Sequence, residues 1–183
     1  MALAAFKLVK CIGTDAATET DCDKHPTFLS ADIVSDDHAT YPIAVPISSG
    51  ASPNYSFELW VRLECIGAPD NYCQTFKTWG PADQPDSGDT PGDRMTIYIG
   101  TTASGATPTD SASSVATEAQ HDQGSIGYYS QATALAVDVE PGDSKIDAVG
   151  EKTDYVVLQL WVEDLAQQGD IQTILFNWYY EET

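Results

Sequence analysis

In Asn54-Tyr-Ser-Phe-Glu-Leu-Trp-Val-Arg-Leu-Glu64, apolar side chains fall on every second position: Tyr55, Phe57, Leu59, Val61 and Leu63. Ser56, Glu58, Arg62 and Glu64 alternate with them, and Trp60 alone breaks the polar face. A period of two is the signature of a strand with one face buried. The same period recurs along the chain. In Arg94–Gly100 the apolar face is Met95, Ile97 and Ile99. In Asp154–Val162 it is Val156, Leu158, Leu160 and Val162, opposed by Tyr155, Val157, Gln159 and Trp161. The last strand, Asp170 to Glu182, gathers Ile174, Phe176, Trp178 and Tyr180 on one side.

Shorter strands are expected over residues 3–12, 28–34, 41–47, 72–79 and 134–140. Pro42 and Pro46 place 41–47 at a sheet edge, because proline cannot donate to a ladder. Helical periodicity is lacking, apart from a turn or two at Ser114–Gln120. About nine strands between Gly, Pro, Asp and Ser clusters read as an all-β fold, an antiparallel β-sandwich that is jelly-roll-like. Two long loops rich in Gly, Pro, Ser and Thr interrupt it, Gly80–Asp93 and Thr101–Ser125, both longer than ordinary connections. With 183 residues, one domain spanning 1–183 is expected. Residues 1–13 form an extended N-terminal arm or strand.

The charge is one-sided: 28 Asp and Glu against 8 Lys and Arg give a formal −20. A hydrophobic share of 42% rules out a disordered acidic tail. Phosphate backbones are gripped by Lys and Arg, so nucleic-acid partners are excluded. Two settings favour such a surface: high salt, or crowded copies that must stay soluble. No stretch approaches the ~20 apolar residues of a membrane span. Met1–Lys10 has no basic segment ahead of an apolar run, so a chain made in the cytosol is expected.

The residues that bear chemistry are few. His25, His38 and His121 read as loop histidines, and Asp37–His38 with a serine makes a triad by inventory only. Asp83, Asp86, Asp89 and Asp93 offer oxygen ligands for Ca²⁺ on a flexible loop, or simply a solvated acidic loop. No other cofactor and no catalytic residue is expected. Cys11, Cys22, Cys65 and Cys73 lack zinc spacing. They read either as four reduced thiols or as loop staples, the sequence-local pairing being Cys11–Cys22 and Cys65–Cys73. Trp60, Tyr98, Trp161 and Tyr179 fall opposite the expected core faces. They are therefore capped by a loop, form a subunit contact, or stack on sugar rings.

The runs NYSFELWVRL, FKTWG, RMTIYIGTT and the closing YVVLQLWVEDLAQQGDIQTILFNWYYEET resemble uncharacterised structural β-sandwich proteins encoded among the virion genes of tailed viruses. The resemblance spans residues 41–183 and leaves 1–40 and the cysteines unmatched. It implies a non-enzymatic virion protein on the particle's outer surface, most simply a capsid decoration or cement protein assembled in the host cytoplasm. Its partners would be the major capsid protein or tail, and further copies of itself in a homo-oligomer. The alternatives are a tail-associated module, an extracellular filament subunit donating Ala2–Ile12 as a strand, and a carbohydrate-binding module.

Overall fold

A computed structural model describes residues 3–11, 19–22, 40, 43, 54–57, 59–80, 95–101, 126–127, 131–139, 144–162 and 176–183; 95–101, 126–127 and 161 are described by backbone alone. The strands are β1 (Ala5–Cys11), β2 (Glu19–Asp21), β3 (Asn54–Tyr55), β4 (Leu59–Gly67), β5 (Cys73–Trp79) and β6 (Met95–Thr101). After them come β7 (Ile126–Gly127), β8 (Leu135–Ala136), β9 (Lys145–Ile146), β10 (Val156–Val162) and β11 (Asn177–Glu182). A single 3₁₀ turn, Gln131–Thr133, is the helical element among the described residues. The chain is thus all-β, and every described strand pairing is antiparallel.

The strands form two sheets. One runs β2-β1-β4-β10-β6-β7, with β3 added beside β10; the other runs β11-β5-β8, with β9 added beside β5. Leu59, Val61, Leu63 and Cys65 from β4 and Val156 and Leu158 from β10 share a buried cluster with Cys73 and Phe76 of β5. The sheets are joined at one end by Phe6, Phe76 and Tyr180. Phe6 lies 5.7 Å from Phe76 and 4.9 Å from Tyr180, edge to face in both cases. Such pairs add to plain area burial.

The strand expected over 54–64 is real but broken. Leu59 lies opposite Leu158 and Tyr55 opposite Trp161, so four steps on one side match three on β10. The extra residue is a bulge, and Ser56 fills it. Its amide donates to the Leu160 carbonyl (2.8 Å). Its hydroxyl accepts from the Leu160 amide (2.9 Å) and donates to the Phe57 carbonyl (2.8 Å). The Gln159 side-chain amide donates to the Ser56 carbonyl (3.1 Å). A side chain thus replaces a missing ladder bond in a site with no water access, where an unpaired amide is costly.

Two further bulges shape the sheets. In the β1–β4 pair the register shifts between Ala5 and Phe6, leaving Ile66 as the extra residue opposite that step. There a Cβ on Gly67 would come within 3.1 Å of the Ala5 Cβ, which explains the glycine. In the β5–β11 pair the shift falls beside Thr75, whose φ is +58°. That backbone is strained for a β-branched residue, and the Thr75 hydroxyl donates to Glu181 Oε2 at 2.9 Å.

Among the shorter expectations, 3–12 and 72–79 appear as β1 and β5, and 134–140 contains β8. The expected arm at residues 1–13 contains β1, which lies inside a sheet between β2 and β4. That placement opposes its use as a donated strand. The expectations at 28–34, Ser114–Gln120 and 170–175, and all of 41–47 except residue 43, lie outside the described residues. So do both long loops apart from Gly80 and Thr101.

Ser56→Ala removes one acceptor and leaves the buried Leu160 amide unpaired. It should lower stability by about 1–3 kcal/mol, read as a shift in urea midpoint with an unchanged slope.

Candidate functional site

The side of the large sheet facing away from the main cluster carries a dense polar network of described residues. β1 and β4 hold Lys7 opposite Glu64 and Val9 opposite Arg62, and β2 places Asp21 opposite Val9 and Glu19 opposite Cys11. Cross-strand partners share a face, so Lys7, Glu19, Asp21, Arg62 and Glu64 all project to the same side. Lys152 joins them through its bridge to Glu64.

Glu19 is the hub. Arg62 Nε and Lys152 Nζ each approach its carboxylate at 2.5 Å, and the Tyr155 hydroxyl donates to the same Oε1 that Arg62 engages. The Arg62 guanidinium sits 4.2 Å from the Tyr155 ring centre, a cation–π contact. Lys7 pairs with Asp21 (2.7 Å) and Glu64 (3.4 Å), and Lys152 also reaches Glu64 (3.6 Å). Desolvation alone would raise the Glu19 carboxyl. The hydrogen bonds from Arg62, Lys152 and Tyr155 outweigh it and hold the group at about 2. Burial, then the hydrogen bond to Glu19, pushes the Tyr155 phenol well above its ordinary range. The Asp21 hydrogen bond is the main cause holding Lys7 above its usual value. At neutral pH these groups stay locked as ion pairs, and a carboxylate with three donors is poorly suited to moving protons.

Beneath this network lies a second apolar cluster of Cys11, Trp60, Tyr155 and Val157. Trp60 is only 3% exposed, with its ring 5.8 Å from that of Tyr155 at 70°. Its expected role as a surface contact is therefore corrected: both faces of β4 are buried, and Trp60 belongs to the interior. Tyr179 is on the other sheet and is 43% exposed, opposite Lys77 on β5. Tyr98 lies opposite Gln159, and Trp161 lies opposite both Thr96 and Tyr55; their side chains lie outside the description. Asp83, Asp86, Asp89, Asp93 and the three histidines lie outside the described residues as well. Among the described residues no group of three or more His, Cys, Asp or Glu is arranged to hold a metal ion. No described helix is long and apolar enough to cross a membrane.

None of the four cysteines is joined in a disulfide in this structure, the arrangement that the reduced-thiol alternative describes. The register excludes Cys11–Cys22. Cys11 lies opposite Glu19, whereas the Cys22 amide donates to the Leu8 carbonyl at 2.9 Å. Three positions along a strand separate them, roughly 10 Å, beyond the ~7 Å between Cα atoms that a disulfide tolerates. Alternation also puts them on opposite faces of the sheet. Cys65 and Cys73 do meet the same core, one from each sheet, and both are fully buried. Burial raises the Cys65 thiol and pushes Cys73 up to about 11, so both are poor nucleophiles.

The Glu19 hub was not legible in the chain order, because Glu19, Arg62, Lys152 and Tyr155 come from three distant segments. The one available signal was the scarcity of cations, with two of the eight converging on a single acid.

Two outcomes follow from this geometry. A carboxyl held at about 2 against an ordinary 4.5 stabilises the fold fully above pH 4.5 and progressively less as pH falls toward 2. The loss is on the order of 2–3 kcal/mol, and Glu19→Gln should flatten that limb in melts between pH 2 and about 6. Intact mass should be the same with and without reductant, and iodoacetamide should label Cys65 and Cys73 only after unfolding. A mass deficit of two protons would reinstate a bridge. No protein-family model, curated protein or solved structure matches this chain.

Proposed function

We propose that the chain is a non-enzymatic structural protein of a virion's outer surface, most simply a decoration or cement protein on the capsid of a tailed virus. The two sheets would act as a jelly-roll-like sandwich scaffold. Its partners would be the capsid or tail protein and its own copies.

The observation that carries the reading is how the charges are distributed. Of eight basic residues in a −20 chain, Lys7, Arg62 and Lys152 are held in ion pairs with Glu19, Asp21 and Glu64. Little cationic surface is left to offset the remaining carboxylates. Such a body is repelled by packaged nucleic acid and suits a particle's water-facing side. The perturbed groups support the non-enzymatic part: Glu19 is held ionised, while Tyr155, Cys65 and Cys73 are held protonated around neutral pH. The outward Tyr179, with Lys77 opposite it, supplies an aromatic anchor for a capsid partner.

Mass spectrometry of gradient-purified particles from the source culture tests the reading. The chain should copurify with the major capsid protein, and Tyr179→Ala should weaken its rebinding to stripped particles. A chain found only in the soluble fraction, or density placing it against the genome, overturns the proposal.

A further inference from the structure

We propose that β2 is a latch on the edge of the large sheet: held shut by Glu19, it lifts as a unit while both sheets stay folded, and its lifting uncovers Cys11.

Glu19-Thr20-Asp21 brings three residues of ladder to β1 and no apolar side chain. Hydrophobic burial, the usual source of strand cohesion, is therefore small. Beyond the ladder the Cys22 amide donates to the Leu8 carbonyl at 2.9 Å. What remains is charge. Lys7 of β1 holds Asp21. Glu19 reaches past β1 to Arg62 of β4, and to Lys152 and Tyr155 ahead of β10. One carboxylate thus ties the edge strand to the centre of the sheet.

The other face of β2 works against closure. Thr20 lies opposite Lys10, and its Oγ1 is buried with no hydrogen-bond partner. A hydroxyl in that state loses its bonds to water and gains nothing in return. Lifting the strand restores them. Glu19 therefore favours the closed form and Thr20 the open one, which leaves the latch poised. Short edge elements with few apolar contacts are also where local opening is least costly.

The register shows what the latch covers. Cys11 lies opposite Glu19. It is 3% exposed and packs with Trp60, Tyr155 and Val157. On its other side β1 pairs with β4 from Ala5 to Cys11, so it stays in place when β2 leaves. Cys65 and Cys73 instead lie in the cluster shared by the two sheets, which opens only when the sheets separate. Lifting β2 also leaves the outer edge of β1 unpaired, so the closed latch guards that edge. Nothing in the latch depends on the virion reading.

Iodoacetamide labelling of the full chain, read site by site by peptide mass mapping, tests it. In the parent, Cys11 should react about tenfold or more faster than Cys65 and Cys73. Its rate should change little in urea below the unfolding transition, because lifting three residues exposes little surface, whereas Cys65 and Cys73 follow global unfolding. Glu19→Ala should speed Cys11 labelling by about tenfold or more. Glu19→Gln, which keeps the shape and loses the charge, should shift it the same way if the alanine variant fails to fold. Thr20→Val, which replaces the orphaned hydroxyl with a methyl of similar size, should slow Cys11 by about tenfold. Glu181→Ala, on the other sheet, should leave the Cys11 rate as in the parent. Cys11 labelled in step with Cys65 and Cys73 at every urea concentration overturns the latch. So does a Cys11 rate indifferent to both Glu19 substitutions.

Discussion

The pairing of β4 with β10 is the constraint on which the rest of the structure depends. Both strands are buried on both faces, so each must meet two different environments at once. On one side Val61, Leu63, Val156 and Leu158 enter the cluster shared by the two sheets. On the other, Trp60 and Val157 lie beneath Tyr155 and the Glu19 ion pairs. A strand pair in that position has no solvent face on which to leave an unsatisfied amide, which is why a serine side chain must complete the ladder at the bulge. It also explains why Arg62, though largely buried, is retained. Its guanidinium covers the Tyr155 ring while its Nε engages Glu19, so one long side chain roofs apolar surface and satisfies a carboxylate.

The alternation in 54–64, 94–100 and 154–162 exposed the strand content directly, since period two survives whichever sheet a strand joins. What it did not reveal is what covers the second face. The polar positions Arg62, Glu64 and Gln159 suggested solvent, but they are matched by partners more than 40 residues away in sequence, or by a backbone carbonyl. Pair recognition of that kind leaves no local pattern. Very short strands such as Glu19–Asp21 and Lys145–Ile146 were also invisible, because they exist through tertiary pairing and not through their own propensity. The aromatic residues show the same limit. Trp60 and Tyr179 both follow the outer-face rule, yet one is enclosed by the chain's own side chains and the other is exposed.

With so few cations available, their placement carries more information than their number. Concentrating Lys7, Arg62 and Lys152 on one sheet face stabilises the short edge strand β2, which has only three residues of ladder to hold it. The same concentration leaves the rest of the surface with little to moderate its carboxylates. Local cohesion and global repulsion thus come from one allocation of charge. Screening by salt acts mainly on the second, because the Glu19 pairs are partly shielded from solvent.

The contact between the first and last strands has a consequence for chain connectivity. The Ala4 amide donates to Glu182 Oε1 at 3.1 Å, and the Tyr180 hydroxyl reaches the Ala4 carbonyl at 3.4 Å. Positions 178 residues apart in the polypeptide are therefore neighbours in space, so this seam between the two sheets can close only after the segment carrying β11 has been synthesised, long after β1 and β4 are available to pair.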